Sequence, residues 1–249
     1  MANWNDPQRT RPGFGTEGFT GASVPRTREV FDAGLRSYML SIYNYMTSGV
    51  LLTGVVALLT AQTGLALTFA SGPLMWLVAL SPLAIVFAMS FGVNKFSTTT
   101  LQAMFWGFAV LMGLSLSTIF LVYTGSSIAA TFFATAGAFA GLSLFGYTTK
   151  KDLSAMGTFL IMGVVGLIIA MVVNMFLKST GFDLAISFLG VLIFAGLTAW
   201  DTQRLKASYA QLRGTEFAGK MVVMGALSLY LDFINMFLFL LRFMGNSRS

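Results

Sequence analysis

ISFLGVLIFAGLTAWDTQRLK (186–206) and GALSLYLDFINMFLFLLRF (225–243) are the two stretches that decide how this chain folds. Each is an apolar run long enough to cross the ~30 Å hydrocarbon core of a bilayer as a helix. Each also carries one aspartate, Asp201 in the first and Asp232 in the second, and no other long apolar run in the chain contains an acid. An aspartate inside a membrane span costs about 2.5–3.5 kcal/mol on insertion scales, so a pair of them points to a function. The remaining spans are expected to form the wall that brings the pair together.

The flanking sequence supports that reading. Of 249 residues, 56% are hydrophobic and 10% charged, against about 25% charged in an ordinary soluble domain. The apolar segments recur along the chain and are continuous rather than alternating, which selects an all-α polytopic membrane protein over a β-barrel. Seven spans are expected, at 38–61, 73–91, 101–123, 127–145, 155–177, 185–203 and 221–241, with short connectors such as Thr63-Gly64, Ser71-Gly72-Pro73 and Thr124-Gly125. Residues 1–36 are rich in Gly, Pro, Arg and Thr and lack the apolar core of a signal peptide, so they read as a disordered cytoplasmic tail. Residues 37–245 then form the transmembrane domain and 246–249 a short external tail.

Cysteine and histidine are both absent. That removes disulfides, thiolate chemistry and the commonest metal ligand, and any pH response falls to carboxylates or a terminus. No enzyme activity and no cofactor are expected, apart from calcium as a bound or transported ion. The net charge of +6 sits mostly in loops and tails, where it sets orientation in the bilayer rather than making a nucleic-acid surface. With the N-terminus inside, twelve of the fifteen Lys and Arg face the cytoplasm, and Lys178, Arg242 and Arg248 lie outside. The expected topology is therefore N-terminus cytoplasmic and C-terminus external, in the inner membrane.

Span edges at Gln203 and Met221 leave the two carboxyls about 10 Å apart in height at 1.5 Å per residue. They meet if the seventh span enters the membrane nearer Gly225. Carboxyls withdrawn from water and set side by side resist simultaneous ionisation, so the pair would share a proton and titrate as a unit. A hard cation such as calcium would fit two carboxylates supplemented by neutral oxygens. Helical spacing offers Ser228 and Asn235 on the Asp232 face and Thr198 on the Asp201 face, while Arg204 could instead neutralise Asp201 by an i,i+3 ion pair. Asn44 and Asn174 read as interhelical hydrogen-bonding groups, and Ala130/Ala134, Gly137/Gly141 and Gly107 with Gly113 as close-packing positions. The segment 202–220 keeps Leu205, Tyr209 and Leu212 at helical spacing and reads as the sixth helix running out along the interface. An intramembrane aspartyl protease would need a Gly-x-Gly-Asp element, whereas Leu229-Tyr230-Leu231 precedes Asp232; a retinal protein would need a lysine in the seventh span, which has none.

At AGLTAWDTQRLK (195–206) and LSLYLDFINMFLFLLR (227–242) the chain resembles the Bax inhibitor-1 family, also called the transmembrane BAX inhibitor motif family, and its YccA-like bacterial branch. LMGLSLSTIFLVYT (111–124) and FGYTTKKDLS (145–154) are similar to further signatures of that family. The resemblance covers about residues 36–245. It implies seven transmembrane helices with the seventh central, and a pH-sensitive calcium leak channel in which the residues matching Asp201 and Asp232 form the sensor and gate. It also implies a competing role as a non-conducting regulator of a membrane protease or cell-death pathway. One departure stands out: some members carry an arginine in the second span as partner for the acids, and 73–91 has no ionisable residue, which either removes a salt-bridge latch or hands that role to Arg204. A proton-coupled transporter is a third reading, unsupported by any internal repeat.

Overall fold

The computed structural model describes residues 23–69 and 72–246. Residues 1–22 of the expected tail and 247–249 of the other terminus lie outside them, and from Ser23 onward the chain is helical. Among the described residues the helices are α1 (Ser23–Gln62), α2 (Leu65–Phe69), α3 (Gly72–Gly92), α4 (Thr98–Leu116), α5 (Ile119–Val122), α6 (Gly125–Thr148), α7 (Ser154–Leu177), α8 (Thr180–Leu212) and α9 (Phe217–Met244). Seven segments are long and apolar enough to cross a membrane, with α4 and α5 together making the third.

Helix ends follow the hydroxyl residues. Ser97, Thr124 and Ser179 each precede a helix and accept a backbone N–H from three residues on, at 3.1, 3.3 and 3.3 Å, satisfying donors that a helix start leaves open. The third span breaks between α4 and α5, where Ser117 and Thr118 donate to the carbonyls of Leu114 and Ser115; such back-bonding competes with the helical ladder. Gly214, at φ 77°, makes the turn from α8 to α9. Beyond the expected edge at Gln203, α8 continues unbroken to Leu212, with Leu205 and Tyr209 buried.

The seventh span is the central one. Its apolar window is 67% buried, against 11% for α7 on the outside, and α9 packs on α8, α6 and α4. On α1, Thr53 Oγ1 lies 2.7 Å from Tyr230 Oη of α9, and Thr53 also donates to Ala109 O at 2.8 Å. The outer helices present large apolar side chains outward, such as Trp76, Phe159 and Phe176, as a lipid-facing surface requires.

Most of the small residues singled out from spacing do not seat helices. Ala130 and Ala134 are exposed, and a Cβ added at Gly107, Gly137 or Gly141 would meet nothing within 4 Å. The buried face of α6 is instead Thr131, Thr135, Phe139, Ser143 and Gly146. Gly146 lies against the backbone of Ala199 in α8, and Gly113 against Val56 and Thr53 O of α1. A small-residue stripe marks a surface that can approach another helix, and only the tertiary fold says which one does.

Candidate functional site

The site is built by the antiparallel pairing of α8 and α9, whose register is pinned at several levels. Added carbon at Gly225 would press on Leu205, and at Gly190 on Phe239. Phe194 stacks on Phe239 with centroids 5.8 Å apart, and Phe188 meets Phe243 at 6.0 Å. Between these contacts Asp201 faces Ser228 and Asp232. The 10 Å height gap expected from sequence shrinks because α8 runs eleven residues past Asp201 and α9 reaches Asp232 fifteen residues after its start, a difference of about one turn.

Asp201 and Asp232 are 4% and 6% exposed, and their carboxyls lie within hydrogen-bonding reach of each other. Ser228 Oγ donates to Asp201 Oδ2. Arg204 Nη2 stands 2.9 Å from Asp201 Oδ1 but off the hydrogen-bonding direction, so that oxygen and Asp232 Oδ2 are buried without a hydrogen bond. Arg204 also donates to Ser228 Oγ at 3.3 Å and lies over the Trp200 ring, 4.7 Å from its centroid. Its side chain is half exposed, and it acts electrostatically on both acids. A cavity of about 430 Å³ reaches this cluster between α3, α8 and α9, lined by Ser90, Arg204, Ser208 and Ser228 among apolar residues.

Not every polar residue at helical spacing joins the cluster. Thr198 donates to Phe194 O at 2.8 Å and Asn235 to Leu231 O at 2.8 Å, so each spends a donor within its own helix, as polar side chains in apolar helices commonly do. Asn44 is exposed rather than interhelical. Asn174 does bridge helices: its Nδ2 donates to Asp183 Oδ1 at 3.1 Å and its Oδ1 accepts from Ser179 N at 3.1 Å. Sequence reasoning missed Thr202, fully buried beside Asp201 with its Oγ1 3.4 Å from Tyr43 Oη of α1. It also missed the ion pair of Asp183 with Arg242 at the far end of the α8–α9 hairpin. A strict antiparallel register through 201 and 232 would set 183 opposite 250, so spacing alone did not signal the partner at 242. No group of three or more acids stands together among the described residues.

Residues 35–249 match the family described as inhibitor of apoptosis-promoting Bax1. A Caulobacter vibrioides protein is 46% identical over 91% of this chain and 96% of its own length. The Escherichia coli inner membrane protein YbhL is 44% identical over 87% of this chain and 94% of its own, and a Streptococcus pyogenes membrane protein is 33% identical over 87% and 95%. With a seven-span helical architecture, a central last helix and a family match across nearly the whole chain, this protein belongs to the Bax inhibitor-1 family.

Proposed function

We propose that the chain is a pH-sensitive leak pathway for calcium or another cation, closed while Asp201 and Asp232 share a proton. The observation that carries this reading is the proximity of two buried carboxyls beside, among the described residues, one half-exposed guanidinium. An ionised carboxylate is an acceptor only, so two carboxyls in contact need one proton between them. Losing it sets like charges together in a low-dielectric interior, where repulsion is far stronger than in water. The two helices then part, or a cation takes the proton's place on the oxygens of Asp201, Asp232 and Ser228. Calcium favours six to eight oxygen ligands, so this set suits passage rather than residence. The cavity beside Arg204 and Ser228 supplies the approach.

By the excess of Lys and Arg in the loops assigned inside, the N-terminus is cytoplasmic and the C-terminus external. YbhL is named an inner membrane protein, which supports the same membrane for this chain. Calcium flux into vesicles loaded with a calcium dye tests the mechanism. Wild type should leak faster as pH rises from 6 to 8, and Asp232→Asn should lose that response; a variant that keeps the wild-type profile removes the mechanism.

A second reading follows from the family's description as an inhibitor: a non-conducting regulator of a membrane protease or another membrane protein. It predicts that deleting residues 1–28 abolishes function while neutralising both aspartates does not.

A further inference from the structure

Away from the acid pair, α1 and α6 leave a cleft of about 710 Å³ between them, within the size range of small-molecule sites. One wall is α1 from Arg36 to Leu51, the other is α6 from Phe132 to Tyr147, and Phe233 of α9 contributes to the lining. Fifteen residues of helix make it about 22 Å long, enough to take an acyl chain through the ~15 Å hydrocarbon depth of one leaflet. The lining is apolar over most of that length, through residues such as Met46, Val50 and Phe139.

Its charged group and most of its polar ones gather toward one end, with Thr47 deeper on the α1 wall. Tyr38, two residues after Arg36, packs on Tyr209 of α8 at 5.3 Å between centroids. Lys206, three residues before Tyr209, donates to Tyr147 O at 2.7 Å. Arg36 and Tyr147 therefore share the α8–α9 turn end of the bundle. Arg36 is exposed, and the ion pairs among the described residues are Arg204–Asp201 and Arg242–Asp183, so no described carboxylate holds it. One turn deeper than Tyr147, Ser143 is 5% exposed and its Oγ has no hydrogen-bond partner among the described residues. A buried hydroxyl left in that state calls for a partner that the protein does not supply.

We propose that this cleft binds an anionic glycerophospholipid, its phosphate on Arg36, an ester carbonyl accepting from Ser143 Oγ and one acyl chain laid between α1 and α6. The order of groups along the cleft matches such a molecule: charge at the mouth, an ester-seeking hydroxyl below it, then an apolar channel. Among the described residues no acid lines the cleft to meet the ammonium of a zwitterionic headgroup, which selects the anionic lipid. Exposed Leu40, Leu51 and Leu144 border the cleft, so it opens on a face suited to lipid. The site does not depend on the shared proton of the acid pair, and either reading can fail alone.

Native mass spectrometry of the full chain in mild detergent tests this, titrating phosphatidylglycerol and phosphatidylcholine of equal acyl composition. Wild type should retain one phosphatidylglycerol about five- to tenfold more tightly than phosphatidylcholine, and Arg36→Gln should erase that preference. Ala140→Trp, which fills the cleft, should remove both lipids, whereas Leu192→Trp on an outward face of α8 should change neither. If Ala140→Trp fails to fold, the exposed Arg36 still decides the outcome. Equal binding of the two lipids, an unchanged preference in Arg36→Gln, or loss in Leu192→Trp matching that in Ala140→Trp overturns the proposal. So does displacement by millimolar glycerol 3-phosphate, which would make free phosphate the ligand, or a dimer that Ala140→Trp dissolves, which would make a second copy the occupant.

Discussion

The α8–α9 hairpin carries aspartate and arginine at one end and again partway along, and the two sites handle them differently. At one end a single acid meets a single base. Arg242 donates from Nε to Asp183 Oδ2 at 2.8 Å and from Nη2 to Oδ1, and Asn174 adds a third donor. The partly exposed side chains, 28% for Asp183 and 40% for Arg242, leave this pair screened by its surroundings. Partway along the hairpin two buried acids share one arginine, and Asp201 Oδ1 and Asp232 Oδ2 are left without hydrogen bonds among the described residues. Residue types are the same; the count of charges and the access of water differ. A one-to-one exposed pair is a clasp, whereas two carboxyls against one cation require a proton or a second cation to balance them.

Substitutions can break or sharpen that contrast. Beyond the loss of pH response expected of Asp232→Asn, the largest effect should come from Arg204→Gln. Removing the one cation that stands beside the two acids among the described residues makes their joint ionisation harder, so the pH of half-maximal vesicle flux should rise by about one to two units. Ser228→Ala withdraws the hydroxyl donated to Asp201. A hydrogen bond to a charged group contributes about 1.5–3 kcal/mol, and this loss should appear as a lower melting temperature in detergent with a shift in flux midpoint smaller than that of Arg204→Gln.

Arg242→Gln, at the clasp end, should change stability by no more than about 1 kcal/mol, since exposed ion pairs contribute little, and should leave the pH profile of flux untouched. A moved midpoint would mean that the two sites are coupled. The smallest effect belongs to Asp152, fully exposed in the loop before α7. The hydroxyl and backbone N–H of Ser154 hold its carboxyl below the usual range. Stability from a carboxyl so lowered is present above its unfolded value and lost as pH falls through its folded one. Asp152→Asn should therefore lower melting slightly at neutral pH, with the difference from wild type vanishing under acid conditions, and leave the flux response between pH 6 and 8 as it is in wild type.

Length and hydropathy carried the architecture. Seven runs of apolar residues must each bury their backbone polar groups in helices, wherever the helices lie, so their number was legible without any knowledge of neighbours. The cost of an acid in such a run drew attention to Asp201 and Asp232, and the i,i+3 spacing to Arg204. Those are local quantities, properties of one segment and its solvent. Thr198 and Asn235 looked equally suitable by spacing, but their donors were already within reach of their own helix carbonyls, a competition that helical phase does not reveal. Likewise Ala130, Ala134, Gly137 and Gly141 carry a packing pattern on a face that no helix covers.

By itself the sequence determined the seven-helix class and the presence of two acids where acids are costly. Tertiary structure alone decided that Asp201 and Asp232 meet, that Asp183 finds Arg242, and that α1 and α6 stand apart around Ser143. The reason is that pairing depends on register between helices, and register is set by side-chain bulk at the contact. Leu205 seats against Gly225, Phe239 against Gly190, and Phe194 stacks on Phe239; each is a fit between residues far apart in the chain, which neither partner encodes alone.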